Sequence, residues 1–430
     1  MTLHSLQTRT AAESALAEQF AAAQGALAAI DREAWFRAFA AKGLPTRRDE
    51  AWHYTDLRSL FASVAPLASA PDAVAIAAAR QALDKRARAG AATVAIVDGR
   101  YIAELSDPPP NGVSVASLAQ AGRVGDVNAN VDPLLALNAA LAQGGCIVGF
   151  EPGVNPSERI EIVHYMTGGA AKSIYSRVLF DVGAGAHASI VESFIGAGPG
   201  DQRDVATILD LADGAKVEHV AIVEDGAALH MESQVARLDD RAELSAFGLV
   251  AGGALVRRQI FATLAGQHAN LALSGLSLLD GRRHADTTLL VDHAAPHGQS
   301  REFYKHIVAD EATGIYQGKV VVQPGAQKTD GGMKSQAILL SPHAVMNNKP
   351  ELEIFADDVV CGHGATVGAL DSEQLFYLRA RGLPKAEAEA MLLEAFGADA
   401  ITRVEDEELA ALLSDKMRAW LVRRPGGVGS

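Results

Sequence analysis

The side chains of this chain best suited to metal or sulfur chemistry are Cys361 and His363, within the stretch EIFADDVVCGHGATVGALD. On a β-strand, residues two apart share a face, with Cα atoms about 6.5 Å apart. Thiolate and imidazole are donors suited to iron, zinc or copper. Because zinc or an iron–sulfur cluster takes about four ligands, this pair would need further ligands from elsewhere, such as a second chain. Spacing alone favours a simpler alternative, in which Cys361 packs as a small hydrophobic residue and His363 caps a turn.

The other cysteine and one pair of carboxylates are weaker candidates for a functional site. Cys146, in QGGCIVGF, lies in an apolar run and is predicted to be a core residue. Asp357 and Asp358 are adjacent, and adjacent residues on a strand point to opposite faces, so they are not expected to act together on one substrate atom.

Four histidines form a loose group in RRHADTTLLVDHAAPHGQSREFYKH, namely His284, His293, His297 and His306. His293 and His297 have the spacing of a zinc-binding helix, but Pro296 lies between them and no glutamate does. These histidines are therefore predicted to be structural, and most are expected to face solvent or to form hydrogen bonds at the edges of the β structure.

Two glycine-rich stretches resemble nucleotide-binding loops without meeting their requirements. GIYQGKV, from Gly314 to Val320, is one residue short of a P-loop and has Val320 where Ser or Thr should hold magnesium, which favours a turn of the β structure. GAGAHA, from Gly183 to Ala188, is followed by a strand, whereas a dinucleotide site needs a helix there. Neither stretch is predicted to bind a nucleotide.

The composition excludes several classes of protein. The chain has 430 residues, a net charge of −14 and only two cysteines. That charge argues against a nucleic-acid partner, and no run reaches the roughly 18 to 20 apolar residues of a membrane span. Two distant cysteines are not a disulfide framework, and no apolar leader opens the chain, so a cytoplasmic protein is expected.

The elements that would position these side chains follow from the hydrophobic period. Residues from about 10 to 62 and from 72 to 91 are Ala- and Leu-rich at helical spacing, with a stop at Gly43. From 92 the period changes to two, with a turn at Asp98–Gly99 between two strands.

The middle of the chain is predicted to be almost continuously β. Short alternating runs from about 146 to 367 are punctuated by Gly, Asp and Pro, which excludes a doubly wound α/β fold. After Leu370 the period is helical again. The predicted organisation is an N-terminal helical domain (1–91), a small mixed α/β linking region (92–145), a β core (146–370) and a C-terminal helical domain (371–430), whose tail PGGVGS is expected to be disordered.

An internal repeat predicts the architecture of the β core. Ala186, Ala215, Ala242 and Ala269 follow similar strands and step by 29, 27 and 27 residues, and Ala326 lies 57 beyond Ala269, about twice that period. A small residue at each corner of a repeated strand–turn–strand unit is what a β-solenoid needs, since its coils stack about 4.8 Å apart. The prediction is a mainly β protein with a β-solenoid core, and an irregular β-sandwich is the alternative.

The C-terminal half resembles a known family. From about Gly314 to Phe396, and above all in KPELEIFADDVVCGHGATVG followed by LFYLRARG, the chain closely resembles the SufB/SufD family of iron–sulfur cluster assembly proteins. These motifs, and RRDEAWHYTDLRSL near the N-terminus, resemble SufD more than its paralogue SufB. The resemblance implies a right-handed parallel β-helix with helical N- and C-terminal domains, in agreement with the repeat.

The resemblance also implies partners and roles. It implies a non-catalytic scaffold that pairs with SufB, or with itself when isolated, and docks one SufC ATPase through its C-terminal helices. ATP hydrolysis would occur in SufC. The residues implied for docking are Leu375, Phe376, Tyr377, Arg379, Arg381 and Phe396. His363, with Cys361 beside it, would lie at the SufB interface, where a transient iron–sulfur cluster or iron is held without a cofactor bound stably by this chain.

Two departures from the family leave alternatives open. Members often have Ser between the Cys and the His, where this chain has Gly362, which is expected to loosen the strand. The family's cluster ligands are attributed mainly to SufB, so His363 would complete a site whose other ligands come mainly from SufB. A SufB-type or self-pairing scaffold remains an alternative. A β-helix enzyme acting on polysaccharide is a remote one, since aromatics are only 5% of the residues.

Overall fold

The N-terminal part of the chain is helical. In the computed structural model the described residues are 9–23, 31–86, 91–125 and 132–424, so the predicted disordered tail lies outside them. The helices are α1 (Ala11–Ala22), α2 (Arg32–Lys42), α3 (Leu57–Leu60) and α4 (Ala73–Asp84), with a 3₁₀ turn at Glu50–Trp52. α1 begins in a capping box between Thr10 and Glu13, and α2 ends at Gly43 with φ of 71°.

The predicted strand–turn–strand unit follows these helices. β1 (Ala91–Val97) and β2 (Arg100–Tyr101) pair antiparallel across Asp98 and Gly99, both of which have positive φ. After a 3₁₀ turn (Ala103–Leu105) come β3 (Val113–Ser117), α5 (Leu118–Ala121) and α6 (Pro133–Leu141). β1 and β3 extend the two sheets of the core, so this linking region closes one end of the β structure.

The core is a parallel β-solenoid, as predicted. Its strands are β4 (Gly144–Phe150), β5 (Arg159–Tyr165), β6 (Ser173–Val182), β7 (His187–Ile195), β8 (Gln202–Leu211), β9 (Lys216–Val223), β10 (Leu229–Leu238), β11 (Glu243–Val250), β12 (Leu255–Leu264), β13 (Asn270–Leu279), β14 (His284–His293), β15 (Gln299–Val308), β16 (Thr313–Val322), β17 (Asp330–Leu339), β18 (Val345–Ile354) and β19 (Val360–Gly368). Even-numbered strands form one sheet and odd-numbered strands the other. Each coil therefore consists of two strands, and eight coils run from β4–β5 to β18–β19.

One corner of the solenoid explains the alanine repeat. Ala186, Ala215, Ala242 and Ala269 are fully buried there, and the residues that follow them are paired in register from coil to coil. The residue just before this corner position has a left-handed backbone in six successive coils. These residues are Gly185, Gly214, Arg241, His268, His297 and Lys328. The repeat therefore marks a corner where the backbone turns sharply and only a small side chain fits inside.

The place of Ala326 in the repeat was wrong. Asn270 is in register with Gln299 and then Asp330, so the position two coils beyond Ala269 is Thr329. Ala326 is a buried turn residue three positions earlier, in a corner of seven residues (323–329) where the preceding corner has five (294–298). GIYQGKV likewise lies within β16 rather than in a turn.

The interior of the solenoid combines an apolar core with buried ion networks. Glu192 is 1% exposed and accepts a hydrogen bond from Thr207 at 2.8 Å. It also pairs with His164 and His219, at 2.8 Å and 2.9 Å. These hydrogen bonds lower the pKa of Glu192 to about 2 although burial opposes them.

The C-terminal helices are α7 (Ser372–Ala380), α8 (Lys385–Ile401) and α9 (Glu407–Arg423). α8 and α9 pack on the outer face of the odd-numbered sheet, where Leu393, Leu413 and Trp420 meet the strands. No helix within the described ranges is long and apolar enough to cross a membrane.

Candidate functional site

Cys361 and His363 lie on β19, the terminal strand of the odd-numbered sheet. β19 pairs with β17 on one side, where Cys361 is in register with Gly331 and His363 with Met333. Met333 is buried in the interior core, so the two candidate ligands share the face that points along the inside of the solenoid. Since no further coil of the described chain covers them, Cys361 is partly exposed and His363 is exposed.

Gly331 provides the space that the Cys361 side chain occupies. A Cβ at Gly331 would lie 3.4 Å from the Cys361 Sγ and 3.7 Å from the Ser300 Oγ. Cys361 thus packs against the interior core from its open end. The inner side of the Cys361 thiol is therefore packed as a small hydrophobic residue would be, while its outer side faces solvent.

The surroundings of Cys361 favour the protonated thiol. Burial raises its pKa most, a hydrogen bond from the Gly331 backbone lowers it, and the carboxylates of Asp330 and Glu302 raise it further. A raised pKa means that the thiol is neutral near pH 7 in the isolated chain. The guanidinium of Arg301 lowers the pKa of Cys361 without outweighing burial.

The chain by itself does not complete a metal site. Across residues 9–23, 31–86, 91–125 and 132–424, no group of three or more His, Cys, Asp or Glu side chains is arranged to hold a metal ion. The thiol and imidazole match the donors of iron–sulfur and zinc sites, but two donors are about half the usual set. The prediction that further ligands must come from elsewhere fits this geometry and remains a prediction.

Gly362 does not interrupt the strand, and the expectation that it loosens the strand stays a prediction. Pairing with β17 is continuous through Gly362, which is in register with Gly332. A Cβ at Gly362 would meet nothing within 4 Å, and its φ is not left-handed. Neither backbone strain nor close packing requires glycine at this position.

The other candidates from the sequence are placed as follows. Cys146 is fully buried in the core, as predicted. Asp357 and Asp358 lie in the bend between β18 and β19, not on a strand, and Asp358 pairs with Lys328. Neither Asp357 nor Asp358 shares a face with Cys361.

The expectation that most of the four histidines face solvent or bond at strand edges was wrong for two of them. His293 and His306 are buried, and neither has a hydrogen-bond partner among the described residues, because they point into the solenoid. Burial lowers the pKa of His293 to about 4 and that of His306 to about 3, so both are neutral. His284 bonds to Thr55 at 2.9 Å, and His297 is exposed at a corner.

α7 presents most of the predicted docking residues to solvent. Phe376 is 73% exposed and Tyr377 57% exposed, and Arg381 donates a hydrogen bond to the Tyr377 hydroxyl at 2.7 Å. Arg379 is exposed and Leu375 half-buried.

Phe396 is placed differently from the rest of the docking set. It packs against the solenoid, with the ammonium of Lys305 4.1 Å from the centre of its ring. Lys305 in turn pairs with Asp399 at 2.7 Å. Phe396 therefore fastens α8 to β15.

Sequence reasoning missed the feature that gives this site its character, the open end of the solenoid. Within the part of the chain that the structure describes, β18 and β19 each have a neighbouring strand on one side only, and Val345, Ile354, Phe355, Val360 and Val367 are large apolar residues exposed there. The apolar side chains were visible in the sequence, but a strand on the edge of a sheet has the same pattern as one in the middle.

Comparison with known proteins identifies the class to which this solenoid and its Cys-x-His end belong. The SufBD core domain of the SUF iron–sulfur cluster assembly system matches residues 164–396, and the SufBD N-terminal region matches residues 17–162. The chain belongs to the SufB/SufD family of iron–sulfur cluster assembly proteins.

Individual relatives place it within that family. It is 30% identical to the iron–sulfur cluster assembly protein SufD of Escherichia coli, over 90% of both chains. It is 27% identical to the protein of that name in Bacillus subtilis, over 66% of this chain and 67% of that one. A SufBD family protein of Synechocystis is 26% identical over 84% of each chain. The sequence-based assignment to the family, and its likeness to SufD, are confirmed.

Proposed function

We propose that this chain is a SufD-like scaffold subunit that pairs through the open end of its solenoid with a SufB-like paralogue. The observation that carries the proposal is the edge formed by β18 and β19, whose unpaired backbone groups and exposed apolar side chains lie beside Cys361 and His363. An exposed edge of this kind is a template for strand pairing with another chain. Pairing would bury the apolar side chains and bring a second set of ligands to the Cys-x-His pair.

In this proposal the iron or nascent cluster is a substrate held between two chains. His363 contributes an imidazole from an exposed position, and Cys361 contributes a thiol whose inner side is packed against Gly331. Because metal binding requires the thiolate, the raised pKa of Cys361 delays ligation until a partner's cationic groups or the iron itself favour loss of the proton. The isolated chain would then bind iron weakly.

The C-terminal helices are proposed to dock a SufC ATPase through the exposed face of α7. Only Ala369 to Asp371 separate the end of β19 from the start of α7, so a displacement of α7 is passed directly to the strand that carries His363. Phe396, packed under Lys305, holds α8 to the solenoid and provides the fixed point for such a displacement. ATP hydrolysis would occur in the partner, and this chain would supply no catalytic residue.

As an alternative, the edge formed by β18 and β19 pairs with the same edge of a second copy of this chain. Two copies of this chain would bring two Cys361 and two His363 together, which is also about four ligands. We further propose that the protein acts in the cytoplasm, consistent with its two unpaired thiols.

The test of the interface site is co-expression of this chain with its SufB-like and SufC-like partners, comparing wild type with His363→Ala. Thr366→Ala, exposed on the same strand, is the matched control. We expect His363→Ala to lower the iron and sulfide content of the purified complex while the three chains still copurify. Equal iron content in wild type, His363→Ala and Thr366→Ala would contradict the role proposed for His363.

Docking is tested by replacing both Phe376 and Tyr377 with alanine. Because both side chains are exposed, the free energy of unfolding should change little, while copurification of the ATPase is lost. Val422→Ala, on α9 and 59% exposed, is the control. Retention of the ATPase by the double variant would place the docking surface elsewhere.

A further inference from the structure

A groove far from the open end lies between the outer face of the odd-numbered sheet and the link that joins α8 to α9. Its volume is about 480 Å³, a size typical of small-molecule sites. Ser245, Ala272 and Ser274 form its floor on β11 and β13, and Phe303 stands at one end. The floor is open because these three side chains are small.

The walls of the groove are held in place by specific contacts. A carboxylate oxygen of Glu218, on β9, accepts hydrogen bonds from the backbone N–H groups of Glu405 at 2.7 Å and Asp406 at 3.4 Å. Arg159 pairs with Asp406 at 3.1 Å and with Glu408 at 2.7 Å. The link from α8 to α9 is therefore fixed to the solenoid, and the groove is a built feature of the fold.

One end of the groove is acidic. Glu218 and Glu405 both line it, and the second carboxylate oxygen of Glu218 is not used by the contacts to the link. Burial, together with the nearby carboxylates of Asp406 and Glu405, raises the pKa of Glu218. A cationic ligand group would relieve this repulsion between like charges.

The other end is basic. The guanidinium of Arg403 lies over the ring of Phe303, 4.7 Å from its centre, and forms no salt bridge with the described residues. Arg301 lines the same end, but its guanidinium donates to Asp330 at 2.6 Å. Lys216 lies at the acidic end instead, on β9 beside Glu218, where it pairs with Glu243 at 2.9 Å and is also attracted by Glu405. Among the described cations that line the groove, Arg403 is the one without a salt bridge, although its charge also acts on Asp399.

The distance between the two ends sets the length of a ligand. Three coil steps separate β9, which carries Glu218, from β15, which carries Phe303 and Arg301, or about 14 Å. The side chains of Glu218 and Arg403 each extend several ångströms into the space between β9 and β15, which shortens the distance that a ligand must span. A ligand whose opposite charges are separated by roughly 6 to 9 Å would meet both ends.

We propose that this groove binds a small zwitterion, of the size of an ω-amino acid or a short unblocked peptide, with its ammonium against Glu218 and Glu405 and its carboxylate against Arg403. The chain of such a ligand lies over Ser245 and Ala272. Because Arg403 and Glu405 belong to the link and Glu218 to the solenoid, the bound zwitterion fastens the C-terminal helices to the core.

The test is calorimetric titration of the full chain with glycine, diglycine, triglycine and 6-aminohexanoate. N-acetyl-6-aminohexanoate and hexanoate serve as probes that lack the ammonium. We expect measurable binding of the longer zwitterions, weaker binding of glycine, and none of the blocked probes. Arg403→Gln should weaken binding by about tenfold or more, since a charge-assisted pair is lost. Arg282→Gln, a highly exposed arginine elsewhere, is the matched control and should bind as wild type does.

Hydrogen exchange gives a second readout that does not depend on the heat of binding. Saturating 6-aminohexanoate should slow amide exchange in residues 402–406 of wild type but not of Arg403→Gln. Absence of binding at millimolar concentrations, equal binding of blocked and unblocked probes, or equal binding by wild type and Arg403→Gln would each overturn the proposal.

Discussion

Replacing Glu192 with glutamine should cost much of the stability of the solenoid, by an amount that depends on pH. The carboxylate is 1% exposed and pairs with His164 at 2.8 Å and with His219 at 2.9 Å. Its pKa is lowered from 4.5 to about 2 in the folded chain. At about 1.4 kcal/mol per unit of pKa shift, the lowered pKa of Glu192 corresponds to about 3 kcal/mol of stability at pH 7. Removing one partner of a buried pair gives a similar figure, about 3 to 5 kcal/mol.

The sign of the pH dependence follows from the direction of the shift. A carboxylate with a depressed pKa contributes its full stability above the unfolded value near 4.5 and loses it as the pH falls toward 2. Wild type loses this contribution on acidification and Glu192→Gln has none to lose. The difference between them should therefore be largest at pH 7 and fall by about half at pH 3.

The assay is urea unfolding followed by circular dichroism at pH 7, 5 and 3. Glu243→Gln is the matched control, because Glu243 is 45% exposed and pairs with Lys216 at the surface. The control should change the free energy of unfolding by less than about 1 kcal/mol. A loss below about 1 kcal/mol for Glu192→Gln at pH 7, or a loss that does not diminish at pH 3, would contradict the stabilising role of this carboxylate.

Three further predictions concern single contacts. Thr55→Val removes the hydroxyl that donates to the buried carboxylate of Asp286, and should lower the free energy of unfolding by about 1 to 3 kcal/mol in thermal denaturation. Gly248→Ala should be poorly folded by circular dichroism, because a Cβ there would overlap the buried guanidinium of Arg258. Gly362→Ser should unfold at a midpoint within error of wild type, since its Cβ would meet open space; a marked shift would show a constraint on this strand that the fold does not reveal.

The local sequence determined much of the helical and turn structure of this protein. The stop at Gly43 and the turn at Asp98–Gly99 were predicted, because each depends on residues a few positions apart. The alanine steps determined the solenoid, since one small residue must recur wherever the chain turns the same corner. Ala326 fell out of step because a longer corner cannot be told from a change of period in the sequence alone.

Only the tertiary structure decided which polar residues face inward. His293 follows Asp292 and His306 follows Lys305, so the immediate neighbours do not assign either side chain to the interior, yet both are buried. Whether an alternating residue meets solvent or the opposite sheet depends on how two distant strands are stacked, which the local pattern does not contain.

The same limit applies to the candidate site. Types and spacing were enough to single out Cys361 and His363 and to show that the pair lacks about half of a ligand set. That β19 is the last strand of its sheet, with Gly331 making room for the thiol and nothing beyond covering the imidazole, followed only from the stacking of eight coils. An edge is a property of the whole sheet, because it is defined by the absence of a neighbour, and no residue on β19 encodes that absence by itself.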